Sequence, residues 1–110
     1  MRLRPDRGTV PPGSVSFVAT NAGSINHELL VLPLPDGQIV GTRRLLGDGS
    51  VDEDRSLGEA SNSCGEGSGE GIAPGDAGWL TLALAPGRYE LICNLPGHYA
   101  AGMYAQLTVR

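Results

Sequence analysis

The strongest constraint on this chain is its rhythm: short apolar runs of period two, each closed off by Pro and Gly. Residues 14–20, Ser-Val-Ser-Phe-Val-Ala-Thr, put Val15, Phe17 and Ala19 on one face, between Pro11-Pro12-Gly13 and Asn21-Ala22-Gly23. Residues 79–84 repeat the pattern with Leu80, Leu82 and Leu84. After the turn Ala85-Pro86-Gly87, residues 88–93 are expected to run back as the partner strand. Residues 29–34 form a continuous apolar run, as a strand buried on both faces would. Residues 105–109 supply a last strand, and residues 38–46 a weaker one. Alternation of this kind cannot build a helical core, and six or seven such strands imply an all-β antiparallel sandwich or barrel.

Composition supports this and narrows the function. Among 110 residues there are 17 Gly and 8 Pro, a turn-rich balance, and the length suits a single domain over residues 1–110. The net charge of −4 lacks the basic face that a nucleic-acid binder needs. No run approaches the roughly 20 apolar residues of a membrane helix. Arg2, Arg4 and Arg7 precede no apolar segment of the kind a signal peptide requires, and residues 1–4 read as the end of a first strand beginning upstream. Residues 48–77 form a long Gly-rich excursion holding Ser63-Cys64-Gly65-Glu66-Gly67. A loop this long is unusual in a compact domain, so a short helix is expected over residues 52–60.

Chemistry concentrates in one stretch. Cys93-Asn94-Leu95-Pro96-Gly97-His98-Tyr99-Ala100-Ala101-Gly102-Met103 reads Cys-x4-His-x4-Met between two predicted strands. The chain has only 2 His and 2 Met, and the other histidine, His27, lies between the strands ending near Thr20 and starting near Leu29. Two imidazoles, a thiolate and a weak axial thioether are the donor set of type 1 copper, so His27, Cys93, His98 and Met103 are the candidate metal ligands. A lone His is ordinarily a surface or core residue and a lone Met is core filler; the shared spacing sets these apart. Around them, the N–H of Asn94 or Leu95 is placed to hydrogen-bond the Cys93 sulfur, Asn26 to tie the His27 segment to the loop, and Pro96-Gly97 to tighten it. A Cys64–Cys93 disulfide would consume the thiolate, so Cys64 is expected outside the site.

On these residues, from Val10-Pro11-Pro12-Gly13 through Asn21-Ala22-Gly23-Ser24-Ile25-Asn26-His27 to Pro86-Gly87-Arg88-Tyr89-Glu90-Leu91-Ile92-Cys93 and the ligand loop, the chain resembles the cupredoxins, or blue copper proteins. Its spacing is most similar to the rusticyanin, auracyanin and sulfocyanin types. The resemblance implies a Greek-key β-sandwich with one copper ion near one end. His27, Cys93 and His98 would be equatorial ligands, Met103 axial. It further implies a monomeric, non-enzymatic one-electron carrier cycling between Cu(I) and Cu(II) outside the cytoplasm, in the periplasm or on the outer face of the cell membrane, where an upstream segment would anchor it. Redox proteins such as cytochromes or a membrane respiratory complex would be its partners. Two other functions compete: a copper carrier or store without redox work, and a structural zinc domain. Zinc sites usually use closely spaced Cys pairs, which are missing here. A copper enzyme would need further histidines for a second centre. Tyr89, four residues before Cys93, fits the tyrosine corner of Greek-key sandwiches.

Overall fold

The computed structural model describes residues 1–61 and 71–110; Cys64 lies outside them. Seven strands follow in order: β1 (Thr9–Val10), β2 (Gly13–Thr20), β3 (Leu30–Pro33), β4 (Gly58–Glu59), β5 (Ala77–Leu84), β6 (Gly87–Ile92) and β7 (Tyr104–Val109). They form a five-stranded sheet of order β1-β7-β6-β3-β4 and a two-stranded sheet, β2-β5. All pairings are antiparallel except β1 with β7. The all-β sandwich is therefore as expected, and no helix occurs among the described residues.

The two sheets enclose the main core. Val15, Phe17, Ala19, Leu80 and Leu82 of the small sheet pack onto Leu29, Val31, Tyr89, Leu91, Leu107 and Val109. The polar half of the alternation faces water, where Ser16 and Thr81 share a 2.8 Å hydroxyl hydrogen bond. The continuous run in β3 has a different reason. Val31 belongs to the main core, whereas Leu30 and Leu32 join Val51, Ile92 and Tyr99 in a second cluster on the opposite face of the large sheet.

Three local expectations are corrected. β5 does not pair with β6: it pairs along its whole length with β2, while β6 lies between β3 and β7. Ala85-Pro86-Gly87 is thus a corner between sheets, and the Tyr89 hydroxyl secures it by donating to the Ala85 carbonyl at 2.6 Å, as expected of a tyrosine corner. Residues 38–46 are not a strand. Gly41 takes φ 84°, and a Cβ there would stand 2.4 Å from the Tyr104 ring. The Gly41 and Arg43 N–H groups bond side chains, the Glu90 carboxylate (2.8 Å) and the Tyr99 hydroxyl (3.1 Å), instead of a ladder. Residues 52–60 form no helix. Leu57 N–H donates to Val31 O and Ala60 N–H to Leu29 O, so the segment covers the otherwise open edge of β3. Residues 1–4 are unpaired, with Leu3 packed against the main core.

Candidate metal centre

Cys93 follows β6 directly and is wholly buried. Its N–H donates to Met103 O at 3.1 Å, which ties the two ends of the loop together. Between them the loop bonds itself in successive turns: His98 N–H to Leu95 O (3.0 Å), Gly102 N–H to Tyr99 O (3.0 Å) and Met103 N–H to His98 O (3.2 Å). His98 is therefore held by its own loop at the surface, and Met103 is buried beside it.

His27 arrives from the other direction. Its backbone exchanges hydrogen bonds with Ile72, N–H to O at 3.1 and 2.6 Å. Asn21 shapes the loop leading to it: its side-chain N–H groups donate to Ile25 O and Ile72 O, both at 2.8 Å, and its Oδ1 accepts Gly23 N–H at 2.8 Å. Asn26, to which the sequence assigned a tie of this kind, is exposed. Asn21 was legible only as a strand terminator.

Three donor atoms converge. His27 Nδ1 and His98 Nδ1 are 3.2 Å apart, and Cys93 Sγ lies 3.8 Å from the first and 3.3 Å from the second. A triangle with these sides has its centre about 2.0 Å from each corner, close to the roughly 2.0–2.3 Å of metal–imidazole and metal–thiolate bonds. One ion thus fits the three donors without rearranging the chain. A thiolate with two imidazoles, on a loop that ends in the buried Met103, suits copper better than a closed zinc site.

The surroundings tune these donors. The sulfur accepts the Glu28 N–H at 3.2 Å and also the Leu95 N–H. Burial pushes the thiol pKa up, and the two amides pull it back. Of the two amides expected at the sulfur, Leu95 is there; the Asn94 N–H goes instead to the Glu28 carboxyl. The Asn94 side chain bonds both backbone groups of Val51, at 2.7 and 2.8 Å, and the Glu53 carboxylate at 2.6 Å. Glu28 itself is pushed up to about 7, first by burial and then by Glu59 and Glu53. Burial, followed by the nearby His98, lowers the His27 pKa, which favours the neutral imidazole that a metal requires. Glu28 was not singled out by sequence, because any residue can supply a backbone N–H.

Comparison with known proteins agrees with this geometry. The sulfocyanin (SoxE) domain family matches residues 9–110. The copper-resistant cuproprotein CopI of Rubrivivax gelatinosus is 30% identical over 112 residues, covering 100% of this chain and 61% of that protein. CopI of Pseudomonas aeruginosa is 48% identical over 40 residues, 36% of this chain and 22% of that protein. The chain therefore spans less than two thirds of either relative. In fold it is similar to dithionite-reduced auracyanin from Roseiflexus castenholzii (TM-score 0.64, 21% identity, 96% of this chain and 86% of the other). It is also similar to rusticyanin from Thiobacillus ferrooxidans (TM-score 0.53, 22% identity, 93% and 59%). With nearly its whole length matched by that family and its fold shared with these two proteins, the chain belongs to the sulfocyanins, a blue-copper type of cupredoxin.

Proposed function

We propose that the chain is a one-electron carrier whose single copper ion would be held by His27, Cys93 and His98, with Met103 as a weaker fourth donor. The observation that carries this is the convergence of two Nδ1 atoms and one Sγ, within 3.8 Å of one another, from two separate segments. Bound copper would supply a reversible Cu(I)/Cu(II) couple. The chain's part is to hold the donors still: the loop is bonded to itself, and the sulfur is fixed by the Glu28 and Leu95 amides. This reading makes the protein a carrier rather than an enzyme. It places it outside the cytoplasm, as a monomer serving redox proteins such as cytochromes or a membrane respiratory complex. No helix among the described residues is long and apolar enough to cross a membrane.

The axial role has its own test. Met103→Leu is expected to leave a coloured site and to raise its potential, since losing the thioether disfavours Cu(II) more than Cu(I). Each tenfold loss of Cu(II) affinity relative to Cu(I) adds about 59 mV in a redox titration. A lowered potential contradicts the axial assignment.

Electrons are expected to pass at His98. Pro96, Gly97, Ala100 and Ala101 around it are exposed and uncharged, and Ile25 and Leu46 add further exposed apolar surface to the molecule. Such a rim suits the small, short-lived interface of an electron-transfer encounter. Ala100→Asp or Ala101→Asp should slow stopped-flow electron exchange with a physiological partner while colour and potential hold. Unchanged rates for both variants place docking elsewhere, for example at the acidic stretch of residues 48–59.

A second reading, copper sequestration in copper resistance, is favoured by the name of the Rubrivivax gelatinosus relative. A carrier keeps its ion through repeated reduction and reoxidation. A protein that only sequesters copper would also hold its ion, but would not return to the same oxidised spectrum through cycles of reduction and reoxidation.

A further inference from the structure

Glu90 is the one charged side chain in β6 that is wholly buried, and its carboxylate gathers three donors from two distant segments. Oε1 accepts Arg43 Nε at 2.5 Å; Oε2 accepts Gly41 N–H at 2.8 Å and the Tyr99 hydroxyl at 2.7 Å. The Tyr99 oxygen in turn accepts Arg43 N–H at 3.1 Å, and Arg43 Nη2 donates to Pro33 O. Tyr99 directly follows His98 in the chain. On the other side of His98, Gly97 N–H donates to Gly49 O at 3.3 Å. Gly49 sits in the tight turn of residues 46–50, closed by Leu46 N–H to Ser50 O (2.7 Å) and Gly49 N–H to Leu46 O (3.0 Å). His98 is therefore bracketed before and after by one continuous segment, residues 41–50, anchored at its start on Glu90.

We propose that Tyr99 and Glu90 are positioning residues for His98. Their hydrogen bond, together with Arg43, fixes where the ring stands before any metal arrives, and so sets both copper affinity and the geometry of the site. The mechanism is local. His98 is only part-buried and is flanked by exposed Gly97 and Ala100, whereas Cys93 is wholly buried. The backbone on either side must then supply the order that burial gives Cys93. A tyrosine hydroxyl held by a carboxylate, an arginine and a backbone amide does this at the adjoining residue. The proposal rests on the reading of His98 as a ligand.

Tyr99→Phe removes one hydroxyl and leaves the carboxylate paired with Arg43 and Gly41. Its control is Tyr89→Phe, which deletes a phenol hydrogen bond of similar length to Ala85 O, at the corner that leads into β6 and outside the ligand loop. Both variants should lose thermal stability. Only Tyr99→Phe should lose copper affinity in a chelator competition, by about 10-fold, the low end of what outer partners of metal ligands contribute. It should also shift the charge-transfer band of the oxidised protein. If Tyr99→Phe binds copper with the affinity and spectrum of the parent, the positioning role is overturned. Amide hydrogen exchange on the metal-free parent gives a second arm that needs neither copper nor a folded variant. The amides of Gly41, Arg43 and Gly97 should open together with those of Gly102 and Met103, as one cooperative unit. Free exchange at Gly41 and Arg43 with the loop still protected overturns the proposal. A parent protein that shows no copper signal at all refutes the ligand reading instead, and this exchange arm still tests the clamp.

Discussion

Cys93→Ser is expected to abolish the colour of the oxidised copper protein completely. It should weaken copper binding beyond the roughly 100-fold that losing an outer hydrogen-bond partner can cost. The sulfur is the charge-transfer donor, and the two imidazoles alone leave one corner of the triangle empty. The substitution is small, and a hydroxyl still accepts the Glu28 N–H that now reaches the sulfur. The fold should therefore survive, and circular dichroism should match the parent. Cys64→Ser is the matched control and should keep the colour. If it destroys the spectrum while Cys93→Ser retains it, the wrong thiol has been assigned.

The largest effect on stability is expected from Glu90→Ala. Removing one member of a buried ion pair costs about 3–5 kcal/mol, because the partner keeps its desolvation without its counter-charge. Here the loss is compounded. Arg43, 14% exposed, would lose its carboxylate, and Gly41 N–H and the Tyr99 hydroxyl would lose their acceptor. Against a total of about 5–15 kcal/mol for a domain, that is a large share of the whole stability. Denaturant titration should show the midpoint falling steeply. A change below about 1 kcal/mol, the ceiling for ordinary exposed pairs, would mean that the pair behaves as a surface one.

How far the sequence revealed this depends on how local each determinant is. β2 and β5 were legible because one face of each meets water and the other the core, so burial follows the alternation of the residues. β3 was legible for the opposite reason, being covered on both faces. Their partners were not. Period two tells a strand which way its side chains point and says nothing about its neighbour, so Ala85-Pro86-Gly87 resembled a hairpin turn where it joins two sheets. Ile39, Val40, Leu45 and Leu46 imitated a strand, but their segment is fixed by Glu90, 49 residues from Gly41. The one hint was a carboxylate placed between Tyr89 and the apolar run Leu91-Ile92.

The site was more legible than the fold around it. Cys93, His98 and Met103 share one short loop, so spacing alone marks them, and His27 was the only other imidazole. The structure brings His27, Cys93 and His98 together, and it buries Met103, whose backbone bonds to those of Cys93 and His98. The second backbone donor to the sulfur could not be read in the same way. Glu28 contributes an N–H, and its side chain gave no reason to select it.

The most direct test of the account is a visible and electron paramagnetic resonance spectrum of the purified protein loaded with Cu(II), with metal content measured on the same sample. It predicts one copper per chain and an intense thiolate-to-copper charge-transfer band. Ascorbate or dithionite should bleach that band, and reoxidation should restore it without loss of metal. A colourless protein holding stoichiometric zinc after copper loading, or copper bound with no such band, would contradict it.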